Sequence, residues 1–174
     1  MGELDVRTLV PEPLRAETWA PFGVLPADET AGTDPAQLEF LWDDGRVNFI
    51  GHTWDEAAHA PDGTLLCDHL NRHDTHTQTL MPMDREAVIV VAPAELAMDA
   101  PGDLDAVRAF LLAPSDCVHL ARGTWHWGPF PVGPGSVRLF NVQGAGYAHD
   151  NTVADLAARG TAFAVPVAGD DAAV

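Results

Sequence analysis

Apolar positions along this chain fall in short runs punctuated by turn formers, with 15 glycines and 14 prolines in all. The runs RVNFIGH (46–52), TLLCDHL (64–70), TQTLMP (77–82), AVIVVA (87–92), CVHLA (117–121) and SVRLFNVQ (136–143) predict β-strands. Many short strands with frequent turns point to a sandwich or barrel. Helical patterning is sparse. DLDAVRAF (103–110) predicts two helical turns, and NTVADLAAR (151–159) a short helix capped by Asn151 and ended by Gly160. EPLRAETWAPFG (12–23) predicts a short helix that stops before Pro21. Residues 26–37 are polar and turn-rich and read as a loop. From about residue 168 little can be buried, so a frayed tail is expected. No repeat or internal boundary divides the chain, so one domain over residues 1–174 is expected.

A length of 174 residues suits one domain with one core. No apolar run approaches the roughly 20 residues that span a bilayer. The start, MGELDVRTLVPEP, lacks the basic-then-apolar pattern of a secretion signal, and Val6 stands where a myristoylation signal requires Ser or Thr. A cytoplasmic location is the expectation. The formal charge of −17 disfavours nucleic acid and anionic membranes as partners. The acids are spread along the chain, as on a solvated surface. There is no lysine, which excludes lysine Schiff bases and a phosphate-binding lysine loop. Every basic role therefore falls to nine arginines or to histidine. Cys67 and Cys117 lie in apolar surroundings and read as reduced, buried thiols.

Two stretches concentrate groups able to bind a metal or move a proton. NRHDTHTQTLMP (71–82) holds Arg72, His73, Asp74, His76 and Gln78. In an extended strand His76 and Gln78 face the same way. ARGTWHW (121–127) holds His126 after a tight turn at Gly123. A small barrel can bring both segments to its inner wall, where histidines bind a divalent metal or act as acid and base. Trp125 and Trp127 alternate with His126 and should face away from it, toward core or interface. The run GPFPVGPG (128–135) has few amide donors and reads as a loop leaving the barrel rim.

These residues carry a resemblance to the ureidoglycolate lyase family of small cupins. TWAPFG (18–23) is similar to the family's FAPYG element, NRHDTHTQTLMPM (71–83) to its ERHPxGTQAFxPM stretch, and residues 103–127 to its DLxxLRAF…GVxxxRGTWHH stretch. The resemblance runs in order from about residue 5 to 151. Ala121, Gly123 and His126 resemble the second cupin motif, PxGxxH, with alanine for proline. His73 and Gln78 resemble the second histidine and the glutamate of the first motif, with Asn71 in the first histidine position. The resemblance implies a mainly β, single-domain cupin-type β-barrel, jelly-roll-like, with a few short helices.

It also implies cleavage of the C–N bond of ureidoglycolate to glyoxylate and urea, in purine and allantoin breakdown. His126, His73 and His76 are the candidate catalytic groups. Arg72, Arg122, Gln78 and Trp125 are candidates for holding the substrate. His73, His76, Gln78 and His126 form the candidate set for one divalent metal ion. Several positions depart from the family pattern: His76 replaces a glycine, Trp127 a second histidine, and Val142 and Gln143 an acid and an arginine, while residues 38–66 match poorly. These departures favour the alternative of a divergent metal-dependent cupin lyase, isomerase or cyclase acting on another small carboxylate; a non-catalytic small-molecule binder is a second alternative. A homodimer is expected, with the tryptophans and TWAPFG as contact candidates.

Overall fold

The computed structural model describes residues 4–35, 37–40 and 44–167. The strands, numbered along the chain, build three sheets. The first has the order β1 (Asp5–Thr8), β15 (Thr161–Val165), β6 (Leu65–Cys67), β5 (Ala58–His59). The second runs β14 (Thr152–Asp155), β7 (His69–Arg72), β12 (Trp125–Pro131), β9 (Ala87–Ala92), β10 (Arg108–Leu112), β2 (Glu12–Pro13). The third runs β3 (Gly23–Val24), β11 (Val118–Leu120), β8 (Gln78–Pro82), β13 (Ser136–Gly144), β4 (Gly45–Thr53). The fold is mainly β and cupin-like, with hydrogen bonding that runs as three sheets and does not close into a barrel. Among the described residues no helix is long and apolar enough to cross a membrane.

β9 explains the layering. All six of its residues are buried, which requires apolar partners on both faces. Ala87, Ile89 and Val91 face Leu80, Leu120 and Leu139 of the third sheet. Val88, Val90 and Ala92 face Leu65, Phe163 and Val165 of the first. The second sheet is therefore the middle layer of three. The short helix α1 (Ala16–Trp19) plugs one end of the inner core. Its Trp19 is fully buried and meets Phe22 and Phe110 edge-on at 5.8 and 5.3 Å. Trp19 and Phe22 of the TWAPFG segment are thus spent on the chain's own core, as are Trp125 and Trp127, while Thr18, Ala20 and Pro21 of that segment stay exposed.

The expected strands at 46–52, 77–82, 87–92, 117–121 and 136–143 form within a residue of those bounds. The run at 64–70 is two strands, β6 and β7, separated by Asp68, and the second continues to Arg72. Residues 103–110 do not form an α-helix. A 3-10 turn covers Pro101–Ala106, and the strand β10 begins at Arg108 because Phe110 and Leu112 fill the core opposite β9. Residues 151–159 likewise give strand β14 and a 3-10 turn, Ala157–Arg159, closed by left-handed Gly160. Asn71 and Leu70 pair with Val153 and Ala154, so edge pairing overrides the helical pattern. The GPFPVGPG run is not a loop from its start, since β12 continues to Pro131. A one-residue bulge lies between Trp127 and Phe130, opposite Val90 and Val88, which is where a strand tolerates proline. Gly128 makes the bulge possible: its φ is +85°, and a Cβ would stand 2.8 Å from the Phe130 amide nitrogen. The loop at 26–37 holds a 3-10 turn, Glu29–Ala31, and the tail expected from 168 lies outside the described residues.

Ile89→Ala should cost about 3 kcal/mol, because it opens a void between two sheets. Val47→Ala, on an edge strand and 65% exposed, should cost under about 0.5 kcal/mol. Urea-unfolding midpoints of the two variants check this, and equal midpoints would contradict the layer assignment.

Candidate functional site

Inward positions of the third sheet change character along the strands. On β13 Val137 and Leu139 are apolar, while Asn141 and Gln143 are polar and buried. On β8 the same change separates Leu80 from Gln78. The space between the second and third sheets is thus apolar at one end and polar at the other. At the polar end it opens into a cleft of about 440 Å³, a size suited to a small ligand. Asn48, Ile50 and His52 of β4 line one wall, and His69 and Asn71 of β7 and His126 of β12 the other.

His126 reaches this space by strand parity. Trp125 and Trp127 enter the outer apolar cluster, so His126 between them points into the inner layer. It pairs in register with Asn71 on one side and Val91 on the other. His73 follows the end of β7. The amide of Gly123, left-handed at φ +79°, donates to the His73 carbonyl at 2.7 Å. That bond ties the two histidine-bearing stretches together. The His73 ring lies 5.2 Å from that of His126 and stacks at 4.5 Å on His76. His73, His76, Gln78 and His126 share a narrow inner void with Thr124, while His73, Gln78 and His126 also border the open cleft.

In each of these rings Nδ1 faces an oxygen acceptor. His73 Nδ1 donates to the Asp150 carbonyl. His76 Nδ1 stands 3.1 Å from the Asp150 carboxylate. His126 Nδ1 donates to the Thr124 carbonyl at 3.1 Å. With the proton held on Nδ1, each neutral ring keeps a lone pair on Nε2. His76 Nε2 and Gln78 Oε1 are buried without a partner. The Gln78 amide nitrogen is committed to Asn141 Oδ1, and the Asn141 nitrogen to Asn48 Oδ1, each at 2.8 Å. The chain of amides turns the Gln78 oxygen free. The result is a group of three imidazole nitrogens and one amide oxygen that accept and do not donate. A divalent cation or a proton-donating ligand meets that requirement.

Asp150 organises the group. Its carboxylate accepts from the amides of Asp74 and Thr75, each at 2.9 Å, and from the Thr75 hydroxyl at 2.6 Å. Burial pushes its carboxyl up, but these donors and His76 outweigh burial and hold it below the usual range. Burial, then the neighbouring His73, lowers His76, with Asp150 in partial opposition. Burial lowers His126 to about 4, aided by His73 and His76 and opposed by the Thr124 carbonyl. His126 is therefore neutral at pH 7. Burial raises the Cys67 and Cys117 thiols, so neither offers a thiolate nucleophile.

The other sequence candidates lie elsewhere. The Arg72 guanidinium sits over the Trp125 ring at 4.7 Å, with its Nε 3.0 Å from Asp74. Trp125 is buried in the outer cluster and donates to the Leu96 carbonyl at 2.9 Å. Both lie across the middle sheet from the His126 ring. Arg122 is exposed in the turn before β12 and lines neither the void nor the cleft. Gln143 lines the cleft, whereas Val142 has the opposite parity and faces outward. Sequence reasoning missed Asp150, Asn48, Asn141 and Tyr147. Only the HD and DN pairs at residues 149–151 hinted at Asp150, and no spacing links it to His76, 74 positions away.

The ureidoglycolate lyase family model matches residues 6–159. A ureidoglycolate lyase of Rhodobacter capsulatus is 34% identical over 151 residues, covering 79% of this chain and 88% of that protein. One from a Chelativorans strain is 27% identical, covering 74% and 80%. Another, from Burkholderia mallei, is 30% identical, covering 70% and 74%.

Two predictions follow from this geometry. A Cβ at position 144 would stand 2.7 Å from the His76 ring, and Gly144 has no positive φ, so Gly144→Ala acts through that contact alone. It should displace the His76 ring signals in a ¹H–¹⁵N imidazole spectrum, and an unchanged His76 pattern would contradict the packing. The second concerns pH. His126 is near 4 when folded and near 6.5 when unfolded, so the unfolded chain takes up the proton first as pH falls. Stability is lost below pH 6.5, and the loss is complete below pH 4. Between pH 7.5 and 5.5 the loss from this group should be about 1 kcal/mol. His126→Gln should remove that part of the pH dependence of the urea midpoint.

Proposed function

The chain belongs to the ureidoglycolate lyase family, and from that premise we propose that it cleaves ureidoglycolate to glyoxylate and urea in the cleft between its second and third sheets. The observation that carries the reading is the His126 ring at the cleft wall, held at Nδ1 by Thr124 with Nε2 free. His126 Nε2 takes the proton of the carbinol hydroxyl. The C–O bond becomes the carbonyl of glyoxylate as the C–N bond breaks and its electron pair passes to the urea nitrogen. The imidazolium then returns the proton to that nitrogen, so no proton is gained or lost. A histidine lowered to about 4 is a weak base but a strong acid, which suits the second transfer. His73 borders the same cleft and supplies a second acceptor, and His76 supports it from behind by stacking. Gln78 Oε1 accepts from a ureido N–H.

A second reading is favoured by the two orphaned acceptors, His76 Nε2 and Gln78 Oε1. His73, His76, Gln78 and His126 would hold one divalent metal ion. Among the described residues the ligating atoms of His73, His76 and Asp150 lie within 4.8 Å of one another, and His126 stands outside that group. The ion would supply Lewis-acid polarisation of a substrate oxygen. This reading fits a divergent cupin lyase acting on another small carboxylate. The family membership supports a cytoplasmic enzyme of purine-derived ureide breakdown, with a small-molecule substrate. A homodimer is supported by edge strand β4, which exposes Val47 and Phe49.

The test is glyoxylate release from racemic ureidoglycolate, with and without chelator. His126→Ala should lower turnover by more than about tenfold, and a smaller loss would overturn the base assignment. Stoichiometric metal in the purified protein, with a lowered melting midpoint after chelation, would decide for the metal reading.

A further inference from the structure

An acidic chain without lysine has only its nine arginines with which to hold an anionic substrate. Arg15 and Arg122 are exposed away from the cleft lining, and Arg159 lines a separate pocket beside Asp5. Arg7, Arg72 and Arg108 face carboxylates. Arg85 donates to two backbone carbonyls, and Arg138 lies over Phe49 on the outer face. Arg46 is different. In the ladder it stands directly opposite Gln143, which stands opposite Gln78. Residues opposite one another in a sheet point to one face, and Gln143 and Gln78 line the cleft. Parity along β4 agrees, because Asn48, Ile50 and His52, two, four and six residues on, all line it too. The Arg46 guanidinium lies over the ring of Tyr147, itself a cleft residue, at 5.5 Å. Arg46 is itself exposed and stands beside the cleft, outside the residues that line it, and among the described residues it makes no ion pair.

We propose that Arg46, braced on Tyr147, receives the substrate's carboxylate at the mouth of the cleft. The stacked ring leaves the planar fork of N–H donors in the guanidinium plane, where a carboxylate is bound by paired hydrogen bonds. The row Arg46–Gln143–Gln78 then runs from carboxylate to reacting carbon to ureido group. One end is charged, and the amides and His126 occupy the other. The chemical class selected is a small α-substituted acid. This rests on the reading of the cleft given above and specifies its anionic subsite.

The experiment measures KM and kcat for ureidoglycolate, and calorimetric binding of glyoxylate and of uncharged glycolaldehyde. Wild type, Arg46→Gln, Arg46→Lys and Arg138→Gln are compared. Arg138→Gln removes the same charge from the opposite face of the sheet. Arg46→Gln should raise KM and weaken glyoxylate at least about tenfold, with kcat little changed, since the contact is made in ground and transition states alike. Arg46→Lys should fall between. Glycolaldehyde binding, and all constants of Arg138→Gln, should stay at wild-type values. Turnover of ureidoglycolate with KM and glyoxylate binding unaffected by Arg46→Gln overturns the proposal and leaves the lyase reading standing. No turnover, but glyoxylate binding that Arg46→Gln abolishes, upholds the carboxylate subsite and overturns the lyase reading.

Discussion

β9 has no polar face, and the rest of the molecule is arranged around that fact. A strand that is apolar on both sides cannot lie at a surface, so it forces a layer above and a layer below. The inner layer is closed by the third sheet and the outer by the first. β12 pairs with β9, and its tryptophans complete the outer layer while its histidine is driven into the inner one. The placement of His126 is thus a by-product of where two tryptophans can be buried.

The cleft adds a second constraint, that buried polar groups need partners. The inner layer meets it by amide chains and by one carboxylate. Asn48, Asn141 and Gln78 satisfy one another in series, and Asp150 satisfies the backbone of residues 74 and 75 together with two histidines. The acceptors left over, His76 Nε2 and Gln78 Oε1, are the ones directed at the shared void. Rigidity and reactivity have the same source here. The bonds that fix each ring also decide which nitrogen is free.

Much of this was legible in the sequence, and the reasons are local. AVIVVA and SVRLFNVQ announce strands by composition and alternation. The RHxxxTQ and RGTWH stretches announce a histidine pocket by resemblance, and the structure joins them through the Gly123–His73 bond. What stayed hidden depends on distant pairing. DLDAVRAF has helical spacing, yet Phe110 and Leu112 are needed opposite β9. Arg72 has the charge for a carboxylate and the right neighbours in sequence, but one step of strand parity puts it beyond the sheet, on Trp125. Arg46 and Asp150 have no motif at all. Arg46 comes beside the cleft residue Gln143 only because β4 pairs with β13, and Asp150 meets the histidines only because the turn after β13 returns to the end of β7.

The contact between Gly144 and His76 carries an implication for how such a pocket can vary. An imidazole at 76 and any side chain at 144 compete for the same space, so neither position is free to vary alone. The glycine is in effect the space in which the imidazole stands, so the two positions act as one steric unit, and enlarging residue 144 is felt first as a turn of the ring at 76.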